Sequence, residues 1–240
     1  MSVKKCIALS KDFAKAVDLF RFSEPVTHVY NPLTYAWRPH QQYIEKFAKG
    51  KKKVLWLGMN PGPWGMAQTG IPFGQVGLVK DWMGIECKVD KPNVENPHRN
   101  IEGFQCKRNE VSGERLWGYV SQVFPKAADF FEDHYVLNYC PLVFMEESGR
   151  NRTPDKLLAA ESAPLFEQCD QHLRDMVDNF KPELLMGVGG FATKRLKKVF
   201  ASQYRVETLL HPSPASPIAN RGWAQQARTQ LLAMDIQWPD

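Results

Sequence analysis

His211 heads the segment His211-Pro212-Ser213-Pro214-Ala215-Ser216-Pro217, directly after an apolar run that ends at Leu210. Three alternating prolines stiffen the backbone there, so an imidazole able to donate, accept or titrate near neutrality is held with little freedom. Asn138, in Asn138-Tyr139-Cys140-Pro141-Leu142, also follows an apolar run. Its amide donates and accepts at once, which is what reading the edge of an amide-like ring requires; taken alone, an Asn so placed is more often a turn-former. A third segment, Gly58 to Gly74, contains Asn60 and holds five glycines and three prolines in seventeen residues. That composition argues against a helix or strand interior. It suits a rigid loop whose backbone amides approach a phosphate or a planar ring.

These segments need elements to hold them. Val54 to Leu57, Tyr135 to Leu137, Leu184 to Val188 and Val206 to Leu210 are short apolar runs of the kind buried in a parallel sheet. Helical spacing joins Phe13, Ala16, Val17 and Phe20, and a shorter stripe, Tyr43, Ile44 and Phe47, follows the breaker Pro39. Thr153-Pro154-Asp155 carries helix-start signals for a pattern that runs to Phe180, with a break expected near Pro164. Gly189-Gly190 opens a basic helix through Phe200, and Pro217 opens a last one to about Met234. Strands separated by helices predict an α/β fold, a central, mainly parallel four-stranded sheet with helices on both faces. Ligands bind beyond the carboxyl ends of such strands, and all three segments follow proposed strands. Residues 80–112, rich in Pro, Asn, Gly and charge, read as a long irregular excursion of the kind that carries function.

The 240 residues fit one domain spanning 1–240, and 12% aromatics with a net charge of +5 exclude a disordered or strongly basic chain. The positive sign points to an anionic partner without naming it. No apolar run approaches a membrane span and the N-terminus lacks a signal peptide's apolar stretch, so an intracellular protein without a membrane partner is expected. Five widely spaced cysteines with no C-x-x-C predict neither a disulfide framework nor a zinc site. Lys194, Arg195, Lys197 and Lys198 resemble a nucleic-acid patch but read better as a solvated helix face.

Taken together, Gly58 to Gly74, Cys106 to Gly118, Asn138 to Leu142, Ser148 to Asn151, and His211-Pro212-Ser213-Pro214 with Asn220 and Trp223 resemble the single-strand-selective monofunctional uracil-DNA glycosylases. The resemblance covers about Gln42 to Trp238, and the first and last motifs in this order are far more specific than a lone glycine motif. It implies the uracil-DNA glycosylase-like three-layer α/β/α fold. The implied activity is hydrolysis of the N-glycosidic bond of uracil, and of 5-hydroxymethyluracil or other deaminated or oxidised bases, after base flipping. The abasic site is left without lyase action.

By the same resemblance, Asn60 holds the attacking water and His211, helped by the Met59 backbone N–H, donates to the departing base. Asn138 reads the base edge, Phe73 stacks on it, and Gly62 and Met66 lie around its C5. DNA contact falls to Pro63, Ser213, Pro214, Ala215, Ser216 and Pro217, with Arg150 and Arg221 supplying charge. Some family members carry Arg-Asn where this chain has Ala215-Ser216, which weakens the expected wedge into duplex DNA. No cofactor and no metal is implied; the partner is uracil-containing DNA, single- or double-stranded, met by a monomer. The cytoplasm of a bacterium, beside its nucleoid, or the nucleus of a eukaryote is the expected compartment. Neighbouring glycosylases with an iron–sulfur cluster need a cysteine pattern absent here. A catalytically idle damage-binding module on the same fold is the alternative; it would need neither Asn60 nor His211.

Overall fold

A computed structural model describes residues 2–200 and 202–239. The chain opens with α1 (Val3–Val17), β1 (His28–Tyr30), the single turn α2 (Pro32–Tyr35) and α3 (Trp37–Phe47). Strand β2 (Val54–Gly58) follows, then α4 (Met66–Thr69), α5 (Val76–Asp81), α6 (Val111–Val123) and α7 (Ala127–Asp133). The second half holds β3 (His134–Asn138), β4 (Val143–Met145), β5 (Asn151–Arg152), α8 (Ala159–Phe180), β6 (Leu184–Val188), α9 (Gly190–Phe200), β7 (Arg205–Leu209) and α10 (Trp223–Ala233).

The four apolar runs form one parallel sheet in the order β3-β2-β6-β7. Side chains alternate across it, which decides how the helices layer. Trp56 and His134 share one face, where Trp56 Nε1 donates to His134 Nδ1 at 3.1 Å and Phe130 and Trp238 pack on both. Tyr135 points the other way, against Tyr43 of α3 and Phe180 of α8. Helices therefore cover both faces, and β2 and β3 are buried along their lengths save Asn138 at the end. The register sets Gly58 beside Asn138 and Val188 beside Leu209, so the chain leaves all four strands along one edge. Strand order reverses direction around β2 and β6, where a crevice opens in such sheets.

A second sheet, β1-β4-β5, is antiparallel and was not foreseen. Strands of two or three residues are too short for alternation to show. Several boundaries also differ from expectation. The glycine-proline segment does contain a helix: its run without glycine or proline, Met66-Ala67-Gln68-Thr69, makes one turn that Gly70 ends at φ 72°. Pro39 falls in the first turn of α3, where its absent N–H had no partner to lose. Thr153-Pro154-Asp155 starts only a 3₁₀ turn (Pro154–Lys156); Leu157 and Leu158 are extended and α8 begins at Ala159. Pro164 does not break α8; the carbonyl it leaves unpaired belongs to Ala160, an exposed residue. Pro217 opens no helix. Ser213 and Ser216 hydroxyls accept from the Ala215 and Ala219 N–H groups and fold the segment into turns, and α10 begins only after Gly222 at φ 100°.

Four imidazoles, His40 and His134 buried and His172 and His211 half-buried, sit in surroundings that favour the neutral form. Desolvation lowers His40, His134 and His211 to about 4 and His172 to about 3, against an ordinary 6.5. The unfolded chain takes up those protons from about pH 6.5 downward while the fold resists until about pH 4. Their stabilisation is whole above pH 6.5 and is lost as pH falls toward 4. Glu110, raised by burial, acts in the opposite sense but is a single group. Thermal melts should show Tm falling steeply between pH 6.5 and 4; a flat Tm across that window would contradict the burial of these rings.

Candidate active site

At the carboxyl edge of the sheet lies a cavity of about 190 Å³ lined by Met59, Asn60, Pro61, Gly62, Met66, Phe73, Glu110, Ser112, Asn138, Asn151, Thr153, His211 and Ser213. That is smaller than the roughly 300–1,000 Å³ of pockets for drug-sized ligands and suits one planar heterocycle. All seven residues expected to bind or transform a ligand line it (Met59, Asn60, Gly62, Met66, Phe73, Asn138 and His211), and so does Ser213.

His211 follows β7 by two residues, and its Nδ1 accepts from the Ser213 N–H at 3.0 Å. A backbone N–H can only donate, so Nδ1 is bare and the neutral ring carries its proton on Nε2. Desolvation holds the pKa near 4, so this tautomer persists at neutral pH. Nε2–H has no protein acceptor among the described residues. Gly189, at φ 88°, lets the backbone after β6 pass the ring: a Cβ there would sit 3.0 Å from His211 Cβ. The loop is tied from α6, where Arg115 donates to the carbonyls of Pro212 (3.1 Å) and Ser213 (3.4 Å) and to Asn220 Oδ1 (2.9 Å).

The Asn60 amide is aimed by its nitrogen. Nδ2 donates to the Leu142 carbonyl at 3.1 Å, which leaves Oδ1 as an acceptor within the cavity. Asn138 reaches the cavity from the end of β3, with Nδ2 3.2 Å from Met66 Sδ. Behind it, the Tyr139 hydroxyl donates to Asp170 at 2.7 Å, and Arg195 closes on the same carboxylate at 2.6 Å. Arg195 is thus a buried brace. Lys194, Lys197 and Lys198 on the same helix are exposed, so the expected solvated face holds for these three and not for Arg195.

Phe73 forms a wall, its ring centroid 6.0 Å from that of His211 and tilted by 50°. Its backbone takes the left-handed region, φ 55°, a costly state for an aromatic residue. Helix α6 enforces it: Trp117 Nε1 donates to the Pro72 carbonyl at 3.0 Å, and Gly113 admits the Phe73 carbonyl where a Cβ would collide. Gly58 is equally constrained. A Cβ there would overlap Asn138 Oδ1 and lie 2.8 Å from the Phe73 ring.

Glu110, Ser112, Asn151 and Thr153 line the cavity without having been singled out as ligand-binding residues. Glu110 precedes α6, and its Oε1 accepts from the Ser112 N–H at 3.3 Å. Its Oε2 lies 2.5 Å from where a Gly62 Cβ would be, so only glycine leaves it room. Burial pushes its pKa up. The available signal was an acid directly ahead of a helix start, adjoining the glycine loop in the motif Glu110-Val111-Ser112-Gly113. Asn151 and Thr153 arrive on β5 and just past it, part of the unforeseen sheet.

Of the residues expected to touch a polymeric partner, Pro63 and Ser213 are half-buried at the cavity's loops. Pro214, Ala215, Pro217, Arg150 and Arg221 are exposed and Ser216 is half-buried; none of these six lines the cavity. Beside them in the chain Ile218, an apolar side chain, is 54% exposed.

The family model of the uracil DNA glycosylase superfamily matches residues 45–233, which takes in all four strands of the parallel sheet and every cavity residue. Relatives named single-strand selective monofunctional uracil-DNA glycosylase, from Rattus norvegicus, Mus musculus and Bos taurus, are 46%, 45% and 45% identical over 219 residues. The matches cover 90% of this chain and 79%, 78% and 80% of the relatives. The solved structure of Pedobacter heparinus SMUG2 shares the fold, with a TM-score of 0.70 at 20% identity over 97% of this chain and 96% of that one. The chain belongs to the uracil DNA glycosylase superfamily and, within it, to the single-strand selective monofunctional family.

Gly58→Ala tests the packing of the cavity floor. The methyl group must displace Asn138 Oδ1 or the Phe73 ring, so affinity for a ligand base should drop by at least tenfold, at a stability cost of about 1–3 kcal/mol for overpacking. Equilibrium binding measured beside a denaturant melt checks both, and unchanged binding in a folded variant would contradict the geometry.

Proposed function

We propose that the protein hydrolyses the N-glycosidic bond between uracil and deoxyribose in DNA, leaving an abasic site. The observation that carries this reading is a neutral His211 whose Nε2–H is free to point into a base-sized cavity. As the C1′–N1 bond breaks, the electron pair passes to the uracil ring and charge gathers on O2. Nε2–H of His211 donates there, with the Met59 N–H beside it. A neutral donor suits this task because it needs no proton of its own to leave.

Asn60 Oδ1 holds a water against C1′ of the sugar. An amide orients water but takes its proton poorly, so the sugar develops oxocarbenium character before the water oxygen bonds to C1′. The water's proton passes to solvent or to the released base. No lysine lines the cavity, in keeping with hydrolysis rather than a Schiff-base lyase step. Asn138 presents Oδ1 to N3–H and Nδ2 to O4 of uracil. Cytosine offers the opposite polarity at both atoms, and a buried mismatch leaves polar groups unpaired. Phe73 stacks on the ring. Gly62 and Met66 bound the C5 side, where 5-hydroxymethyluracil would also be admitted.

A base reaches the cavity only by leaving its stack, which costs least in single strands and mismatches. Ser213 lines the cavity and Pro214, Ala215, Ser216 and Pro217 follow it in the chain; these, Pro63 beside cavity-lining Gly62, and the exposed Arg150 and Arg221 are the residues this reading sets against the DNA. Ala215 and Ser216 are small wedges, so single-stranded or mispaired uracil is the better substrate and U·A the poorer.

Oligonucleotides carrying one uracil, incubated with the protein and then treated with alkali, should be cleaved at that position. EDTA should change nothing. Removing one donor of the His211 kind costs roughly 2.7–4 kcal/mol in the transition state, so His211→Ala should lose on the order of a hundredfold or more in kcat. Asn60→Ala should lose a comparable factor. DNA binding without cleavage by the wild type would instead support an idle damage-binding module.

A further inference from the structure

Residues 82–110 contain only one 3₁₀ turn (Gly103–Gln105), yet buried amides pin them firmly. Gln68, fully buried, spends its whole hydrogen-bonding capacity on tying this segment to the glycine-proline loop. Nε2 donates to the carbonyls of Pro63 and Asn100, both at 3.1 Å, and Oε1 accepts from the N–H groups of Glu102 (2.8 Å) and Gly103 (3.0 Å). Asn96, also fully buried, donates to the carbonyls of Glu146 (3.1 Å) and Glu147 (3.2 Å), while its N–H donates to the Tyr30 hydroxyl. A long loop held this tightly presents something fixed.

What it presents is cationic. The Arg99 guanidinium lies 5.1 Å from the centre of the Trp64 ring and that of Arg108 lies 5.5 Å from it. Both are within cation–π range, about 6 Å. Gly149 packs on Arg99, where a Cβ would sit 3.1 Å from Arg99 Cγ, and the next residue, Arg150, is exposed. None of these three arginines has a carboxylate within ion-pair distance among the described residues; Glu146, the nearest acid in sequence with a partner, is taken by Arg152 at 2.7 Å. The cluster borders the cavity twice. Trp64 lies between Gly62 and Met66, and Arg150 adjoins Asn151, all three cavity-lining neighbours.

We propose that Arg99 and Arg108, organised around Trp64, together with Arg150 beside cavity-lining Asn151, form a binding site for the phosphodiester backbone of the single strand flanking the nucleotide in the cavity. The inference rests on the reading that the cavity takes a base from a DNA strand. Guanidinium forks match phosphate oxygens bidentately, and a ring that holds two of them lowers the entropy lost when phosphate binds. The site grips the strand without a wedge between base pairs, which complements the small Ala215 and Ser216.

The test compares uracil release from a single strand of about 20 nucleotides with release from a uracil trinucleotide, over a range of salt, for the wild type, the double variant Arg99→Ala/Arg108→Ala and the charge-keeping Arg99→Lys/Arg108→Lys. The alanine variant should raise KM for the long strand about tenfold with kcat held. Its log(kcat/KM) should depend less steeply on log salt, by about 0.7 for each arginine that meets a phosphate. The trinucleotide should react as with the wild type, and the lysine variant should regain most of the salt slope. An unaltered slope, or an equal loss of kcat on the trinucleotide, overturns the proposal; the latter would mean that the arginines only shape the cavity. If the wild type releases no uracil at all, the glycosylase reading itself fails. Fluorescence anisotropy with the same strand still decides the site: equal affinity of wild type and alanine variant assigns these arginines to something other than DNA.

Discussion

A single backbone hydrogen bond, from the Ser213 N–H to Nδ1 of His211, sets the chemistry of the site. It fixes the tautomer, and desolvation fixes the charge; together they leave one neutral donor at the carboxyl edge of the sheet. Much of the surrounding architecture serves that placement. Strand β7 delivers the chain, prolines stiffen its exit, Arg115 fastens the loop from α6, and the bare backbone of Gly189 makes room for the ring. The same helix α6 holds Phe73 in its unfavourable conformation and begins at Glu110, so one element organises three walls of the cavity.

In the proposed reaction, a neutral donor and an amide-held water imply a particular division of labour. Neither group would take or give a full proton in the rate-limiting event, so the barrier would be lowered by preorganised dipoles. Glu110 is the only carboxyl among the lining residues, and burial favours its neutral form. A neutral Glu110 would add no anionic charge to oppose the developing negative charge on the departing base.

The parallel sheet was legible because strands buried on both faces must be continuously apolar: β2 and β6 match their runs within a residue. The loop motifs were legible because glycine and proline have few other uses at such density. The antiparallel sheet was not, since β1, β4 and β5 are stabilised by register with distant partners rather than by local pattern. Helix starts at Thr153 and Pro217 misled for a related reason: the same capping residues stabilise isolated turns when the chain beyond them is drawn elsewhere. His211 and Asn138 stood out by their placement directly after apolar runs, Asn60 and Phe73 through the resemblance their motifs carry. Glu110 had no assigned role until Gly62 and Gly65 were seen to make space for it. Gln68 and Arg115 act through contacts far apart in the chain, which no local spacing encodes. The modest charge of +5 hid a local concentration of arginines around Trp64.

The central claim is that His211 is a neutral, Nε2-protonated donor throughout the physiological range. Nitrogen-15 NMR of histidine-labelled protein, with His211 assigned by substitution, reads this directly. The account predicts a bare Nδ1 and a protonated Nε2, with no titration between pH 8 and about pH 5. A ring that titrates near 6.5, or one that carries its neutral-state proton on Nδ1, would contradict it.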